Sequence, residues 1–530
     1  MPHLIVGPVT HESARLWVRG GWWRRRARVS VRPAGERQGH ELRLVRSSDF
    51  TATAEIAGLE AATAYDVEAR FEAPGGWRTT CVSGRFRTFP APDSGAAFSF
   101  LHASCNLSVV SLTQAFSVAA VAIGSLAAFH MLRRPRGAGA RVAASGAPGS
   151  LATADPVAAG GGPSTARARR AGAGSAVVRF FQSVYAHTAS WQPAPIVPSP
   201  FAPLCDLLGG AAPPAFMIHA GDQIYFDFPL AAREPTRDAY RRAYRQAFFG
   251  DPVQREFLAS LPHFMTLDDH ELVDGFARDF VPIENRVPED YYRPALGAYD
   301  EYVASRQTPD AGEGHRGYAF DHGAARFLVL DLRTQRFRES RRMLDRDQLD
   351  WLLGWLEKSR DRIKFVVSSV PFLAELRDRA DLAGERDDKW TGRFYRDQRD
   401  EILDFVHAQR IGGLVFLAGD MHCTYHATMQ LGAPGRRVLV HELAGGPIHQ
   451  AQYTPRADFC DEVIGRTRGA GVAYRTFLRA FSDSAAGVLR VSVSPQERPA
   501  VRWRVVPTGA GLAGSARAPA LTGRIDLEAP

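Results

Sequence analysis

The sequence predicts an α/β layered domain preceded by a small all-β sandwich, and three observations carry that prediction. Short apolar runs separated by Gly, Pro and polar turns fill the first ninety residues, apolar strands alternate with helical stretches from Phe98 onward, and several of those later strands end in side chains that ligate metals or move protons. In an α/β sheet the residues just past a strand's C-terminal end face the ligand crevice. The third observation therefore bears on function as well as on fold.

With 530 residues, 45% hydrophobic and 23% charged, the chain has the material for two or more packed domains rather than for disorder. The formal charge of +8 comes almost entirely from Arg, with Lys only at Lys358, Lys364 and Lys389. It is spread along the chain, so no specific nucleic-acid partner is expected. Five cysteines (Cys81, Cys105, Cys205, Cys423, Cys460) show no CxxC spacing, which argues against a disulfide framework, structural zinc or a redox motif. The stretch Met1 to Pro8 lacks a basic segment followed by an apolar run, so no signal peptide is visible and a cytoplasmic location is expected.

The all-β module is placed at 1–90. Ala14 to Arg19, Ala27 to Arg32, Thr51 to Ile56, Thr63 to Glu72 and Gly84 to Thr88 are its strand candidates, spaced as in a fibronectin- or immunoglobulin-like sandwich. Leu59 followed by Tyr65 at a strand start resembles the tyrosine corner of such folds. Trp22-Trp23-Arg24-Arg25-Arg26 reads as a solvated hairpin. Residues 91–97 form a linker.

Strand-like runs then occur at Phe98 to Ser104, Ala215 to Ala220, His263 to Leu267, Arg326 to Asp331, Ile363 to Val370, Gly413 to Ala418, Arg437 to Leu443 and Gly487 to Ser494. Helices lie between several of them, as at Asp345 to Lys358, where Leu349, Leu352, Leu353 and Leu356 fall at helical spacing, and at Asp397 to Gln409. Alternating β and α elements define a layered α/β domain.

Five strand ends carry reactive groups: Ser104-Cys105-Asn106, then Asp222 and Tyr225, then Asp268-Asp269-His270-Glu271, then Gly419-Asp420-Met421-His422, and His441-Glu442. Taken alone, an acidic loop is a helix cap or a turn, and a lone buried cysteine is a small hydrophobe. Recurrence changes the reading. Carboxylates suit hard cations, imidazole suits transition metals, and thiolate with phenolate suits a ferric centre. Two metals about 4 Å apart, bridged by one carboxylate, are the usual device for in-line hydrolysis of a phosphate ester.

Phe100-Leu101-His102-Ala103-Ser104-Cys105, Gly221-Asp222-Gln223-Ile224-Tyr225, Asp268-Asp269-His270-Glu271, Leu330 to Arg336 and Leu417-Ala418-Gly419-Asp420-Met421-His422 together resemble the PhoD-like alkaline phosphatases of the calcineurin-like metallophosphatase superfamily. That resemblance runs from Leu4 to about Val505. It implies a four-layer metallophosphatase-type β-sandwich flanked by helices, behind the small β module, and a catalytic domain over 98–506 with a tail at 507–530. It further implies Cys105, Asp222, Tyr225 and His422 as ligands of a ferric ion (Fe3+), with Asp222 bridging to a second, harder ion held also by Asp269 and Asp420. That second ion would be calcium (Ca2+), with Mn2+, Zn2+ and Mg2+ as other candidates.

On the same resemblance, His270 would stabilise the transition state or protonate the leaving oxygen while metal-activated water attacks phosphorus in line. Asn106, Asp268, Arg333 and Arg336 are the substrate-binding candidates, the two arginines either holding phosphate or bracing their loop through Asp331. Trp390 and the Arg393 to Arg399 segment are candidates for lid or substrate contacts.

One block departs from that family. About 116 residues separate Cys105 from Asp222, and within the insertion 107–176 the apolar stretch 107–132 has the length of a membrane span, followed by Arg133-Arg134-Pro135-Arg136. A buried or surface-packed helix is the reading preferred over membrane contact, Gly137 to Ser175 reads as a flexible insertion, and a reading-frame error is the third account. Two functions follow: a metal-dependent phosphoesterase acting on a phosphate mono- or diester, or a non-catalytic or membrane-tethered interaction protein built on that scaffold.

Overall fold

The chain begins with alternation strict enough to build a sandwich: in β6 (Ala64–Glu72) Tyr65, Val67, Ala69 and Phe71 point inward while Asp66, Arg70 and Glu72 face solvent. The computed structural model describes residues 1–32, 39–73, 79–107, 199–228, 234–308, 314–450, 454–483, 486–495, 499–508 and 521–527. Beyond Leu107, the expected apolar segment 107–132 and the insertion 107–176 lie outside the described residues. Among the described residues, no helix is long and apolar enough to cross a membrane.

Two sheets make the N-terminal module. One pairs β1 (His3–Val9), β2 (Ser13–Arg19) and β5 (Thr51–Ala57), and the other runs β4-β3-β6-β7, with β3 at Arg26–Arg32, β4 at Gly39–Arg43 and β7 at Thr79–Arg87. The expected tyrosine corner is present, because the Glu60 N–H donates to the Tyr65 hydroxyl at 2.9 Å. Trp22 and Trp23 are exposed as expected, with the guanidinium groups of Arg25 and Arg46 at 5.1 and 5.2 Å from the Trp22 ring centroid. The module is tied to the later chain through Trp17, whose indole N–H donates to the Glu301 carbonyl at 2.8 Å.

Two larger sheets follow. The first has the order β10-β9-β8-β20-β21-β22, with β17 also pairing to β8: β8 is Phe98–Asn106, β9 Met217–Ala220, β10 His263–Thr266, β17 Pro447–His449, β20 Gly487–Ser494, β21 Ala500–Pro507 and β22 Thr522–Asp526. The second has the order β11-β12-β13-β14-β16-β15-β19-β18, from Tyr318–His322, Ala325–Val329, Ile363–Ser368, Leu414–Ala418, Val438–Ala444, Thr424–Leu431, Ala473–Ser482 and Glu462–Arg466. Strands β8, β9 and β10 run parallel, as do β12, β13, β14 and β16. Their burial on both faces explains the continuous apolar runs.

The sheets pack face to face through aromatic rings. Phe100 of β8 meets Phe327 of β12 and Phe365 of β13 edge-on, each at 5.4 Å. Among the described residues, α1 (Ala202–Leu208) is followed by α2 (Arg237–Phe249), α3 (Pro252–Leu258), α4 (Pro288–Tyr302), α5 (Arg346–Lys358), α6 (Ala383–Asp387) and α7 (Arg396–Ala408). Leu204 of α1 and Phe257 of α3 cover Leu101, Ala103 and Met217, while α5 and α7 cover the outer face of the second sheet. Helix, sheet, sheet and helix make the expected four layers.

Some elements differ from expectation. The stretch 507–530 is not simply a tail, because Thr522–Asp526 adds β22 to the first sheet. Helix α4 escaped the sequence reading because Pro294 lies inside it, its start marked only by Pro288. Trp390 is core rather than lid: it is fully buried, packs edge-on against Phe372 at 5.4 Å and donates to Ser368 Oγ at 3.2 Å.

Candidate metal centre

Parallel pairing of β8, β9 and β10 aligns their C-terminal ends, and the end of β14 closes on them from the other sheet. His102 Nε2 lies 2.9 Å from the Ala418 carbonyl oxygen, and a Cβ on Gly419 would stand 2.6 Å from both the Ala220 oxygen and Ser104 Cβ. The missing side chain at 419 thus permits the approach. Residues 104–106, 221–225, 268–271 and 419–422 converge there.

The backbone at this junction is strained. Cys105 (φ 55°), Asp222 (φ 55°), Asp420 (φ 69°) and His422 (φ 50°) all adopt the left-handed conformation, which costs a non-glycine residue about 1 kcal/mol or more. Such strain persists only where surrounding contacts impose it. Glu271 supplies many of them: its buried carboxylate accepts the N–H groups of Asp222 (3.0 Å), Gln223 (2.6 Å), Ile224 (3.3 Å) and Asp268 (2.7 Å), clamping the loop after β9 onto the loop after β10.

Three overlapping donor groups result, each with its ligand atoms within 4.8 Å of one another: Cys105, Asp222 and His422; Asp222, Asp269 and His270; Asp268, Asp269 and Asp420. Asp222 belongs to the first two. Its Oδ2 lies 3.3 Å from Cys105 Sγ and 3.4 Å from the Tyr225 hydroxyl, which is 3.1 Å from His422 Nε2. Gln450 closes the first group, donating to the Tyr225 oxygen at 2.9 Å.

These residues fit a pair of cations. Asp222 Oδ1 and Asp268 Oδ2 are buried without a hydrogen-bond partner among the described residues, and an unpaired buried carboxylate oxygen is costly. Burial pushes the Cys105 thiol, the Tyr225 phenol and the Asp222 carboxyl well above their ordinary pKa values; the Asp222 charge raises the first two further. A cation is the one partner that favours all three anions at once. The first group offers thiolate, phenolate, imidazole and carboxylate, a set suited to a transition metal, and the group Asp268, Asp269 and Asp420 offers oxygen alone, suited to a harder ion.

His270 lies at the edge of the centre, its ring 4.2 Å from that of Tyr225. Its Nδ1 sits 2.8 Å from Asp227 Oδ1, which leaves Nε2 for proton transfer. Burial opposes a charged imidazole here, but Asp227 and Asp222 overcome it and hold the pKa well above the usual histidine range. Asp227 was absent from the sequence reading; its only signal is its place two residues past Tyr225.

The substrate-binding candidates are all buried, and for the two arginines the contacts are those of the bracing alternative. Arg333 and Arg336 are fully buried. Arg333 Nε donates to Asp268 Oδ1 at 2.5 Å and its Nη2 to Asp388 Oδ2 at 3.0 Å, while Arg336 Nη2 lies 2.8 Å from Asp388 Oδ1. Asp331 holds their loop by accepting the N–H groups of Arg333 and Thr334. Both guanidinium groups are therefore committed to carboxylates beneath the centre, and Asp268 is committed with them. Asn106 is also buried, its backbone N–H bonded to the Asp222 carbonyl at 2.9 Å. His441 and Glu442 lie apart from the donor groups: His441 is beside His426, and Glu442 accepts the N–H groups of Phe372, Leu373 and Ala374.

Lys389, Asp388 and Gln450 were not singled out from sequence. Lys389 is 3% exposed and pairs with Asp420. Burial disfavours its ammonium, yet Asp420, Glu385 and Asp388 hold its pKa well above the ordinary lysine value. A lysine within Asp387-Asp388-Lys389-Trp390, in a chain with only three lysines, is the signal that was available.

Comparison with known proteins adds an independent line. The family model described as PhoD-like phosphatase matches residues 209–500. Alkaline phosphatase D of Bacillus subtilis (strain 168) is 23% identical over 250 residues, covering 41% of this chain and 42% of that protein, so the match spans less than half of the curated relative. A solved structure titled "Structure of PhoD" aligns with a TM-score of 0.61 at 16% identity, covering 99% of this chain and 91% of that one. Purple acid phosphatase PPD1 from yellow lupin (Lupinus luteus) seeds aligns with a TM-score of 0.51 at 10% identity, covering 99% and 74%. At these identities the two structural likenesses establish a shared metallophosphatase-type fold.

Proposed function

The chain belongs to the PhoD-like phosphatase family, and from that premise we propose that it is a metal-dependent phosphoesterase hydrolysing phosphate mono- or diesters at a two-cation site. The observation that carries the proposal is Asp222, buried, in left-handed backbone and common to two of the three donor groups. That place suits a carboxylate that two cations would share.

Cys105, Asp222, Tyr225 and His422 would hold the first cation, which the thiolate and phenolate donors suit as ferric iron; Asp222, Asp269 and Asp420 would hold the second, an oxygen-ligated ion such as calcium. When bound, the two cations supply Lewis-acid neutralisation of the phosphoryl oxygens and activation of water for in-line attack. The chain's own residues do the rest. His270, oriented through Nδ1 by Asp227, delivers a proton from Nε2 to the departing alcohol oxygen. Glu271 keeps the bridging carboxylate in place, and Arg333 and Arg336 neutralise Asp268 and Asp388 below the floor of the site.

The test is elemental analysis of the purified full-length protein, with its visible absorption and its hydrolysis of an aryl phosphate monoester and diester. Iron with a phenolate charge-transfer band, and hydrolysis lost in Asp222→Ala and Asp420→Ala, are expected. A folded protein that retains no metal and cleaves neither ester across added Ca2+, Mn2+, Zn2+ and Mg2+ overturns the reading.

A further inference from the structure

The two ends of the centre differ in fixed charge. Among the described residues no Lys or Arg forms an ion pair with Asp222, whereas the oxygen-only group meets two buried cations: Arg333 Nη2 lies 3.6 Å from Asp269 Oδ2, and Lys389 Nζ is paired with Asp420 Oδ2. Arg333 is pinned on three carboxylates and has no other place to go. Lys389 is different. It follows the short helix α6, and its ammonium also lies 2.7 Å from Glu385 Oε1, one turn earlier, and 3.6 Å from Asp388 Oδ2. Glu385 is half exposed, at the edge of the site, whereas Asp420 is only 10% exposed.

We propose that Lys389 is a built-in competitor of the second cation, its ammonium occupying Asp420 until an incoming ion displaces it onto Glu385 and Asp388. This rests on the two-cation reading above and concerns how the second site is filled. An ion ligated by Asp420 shares that carboxylate with an ammonium at contact distance, and two positive charges that close repel strongly in a buried setting. Glu385 and Asp388 give the displaced ammonium a paired position, so filling the second site leaves no uncompensated charge. Among the described residues Asp222 has no Lys or Arg held on it in this way, so the two ions are held on unequal terms.

The experiment measures Ca2+ binding by calorimetry to the full-length protein as purified, with its retained metal quantified by elemental analysis, for wild type, Lys389→Met, Lys389→Arg and Glu385→Gln. Lys389→Met is expected to bind Ca2+ at least about tenfold more tightly, Lys389→Arg close to wild type, and Glu385→Gln more weakly, since the displaced ammonium loses its partner, all with the retained metal unchanged. Unchanged or weaker binding in Lys389→Met overturns the proposal, because Lys389 then props Asp420 rather than competing for it. If Lys389→Met fails to fold by circular dichroism, Glu385→Gln decides: weaker binding supports the displacement, and unchanged binding overturns it. Wild-type protein that binds no divalent cation overturns instead the two-cation reading itself.

Discussion

Sγ of Cys105 and Oδ2 of Asp222 lie 3.3 Å apart although they are 117 positions apart in the chain. Both residues sit in left-handed backbone at the ends of adjacent parallel strands. The contact sets a thiol against a carboxylate in a buried space where neither is favoured as an anion, an arrangement that a shared cation would resolve. Asp222→Asn, which keeps the volume and removes the charge, is expected to lower ester hydrolysis by about 10³-fold or more and to reduce both metals. Retention of full metal content would assign Asp222 a lesser part than bridging.

Asp227→Asn isolates the orientation of His270. Loss of the carboxylate at Nδ1 is expected to reduce kcat about 10- to 100-fold while leaving metal content intact, the usual effect of removing a partner behind a working imidazole. The basic limb of the pH profile should also move to lower pH. A fall in metal content would place His270 among the ligands instead.

Gly221→Ala tests the turn between strand and bridge. Gly221 has φ 93°, and a Cβ there would stand 2.4 Å from Asp268 Cβ. Both the conformation and the clash oppose a side chain, so a loss of about 3 kcal/mol or more in unfolding free energy is expected. Chemical denaturation of the purified variant measures it, and a change below about 1 kcal/mol would mean the two loops separate easily.

Arg333→Met separates bracing from substrate binding. Removing the guanidinium leaves Asp268, Asp269 and Asp388 buried without their main counter-ion, at a cost of about 3–5 kcal/mol. Lower stability with KM little changed in the surviving folded fraction is expected. A raised KM at undiminished stability would return Arg333 to the substrate.

Acid should weaken the fold through histidines buried as neutral rings. His263 is fully buried with its pKa lowered to about 3 by desolvation, and its Nδ1 lies 3.1 Å from His219 Nε2. Its folded value is below the unfolded value of 6.5, so the unfolded chain takes up a proton that the folded chain refuses as pH falls from 6.5 towards 3. Stability therefore declines across that window and is unaffected by this group above it. At pH 4.5 the contribution is about 3 kcal/mol. Replacing the ring with Phe, which suits its contact with Phe257, should flatten the fall in melting temperature between pH 6.5 and 4.5; an unchanged slope would assign the acid sensitivity to other groups.

The two-part architecture, the strands that carry the site and most of the candidate donor set were legible in the sequence, because these depend on local pattern. A buried parallel strand reads as a continuous apolar run, and Cys105, Asp222, Tyr225, Asp269, Asp420 and His422 stand immediately past such runs. What the remaining polar residues do emerges from the folded contacts. From sequence Arg333 and Arg336 either hold phosphate or brace their loop; a guanidinium's role follows from its burial and from the carboxylates that reach it, and Asp268 and Asp388 come from segments more than 50 residues away. Asp227 behind His270, Gln450 beside Tyr225 and Lys389 on Asp420 are contacts of the same kind. Their energies depend on distance and desolvation in the folded chain, and no spacing along the sequence encodes either.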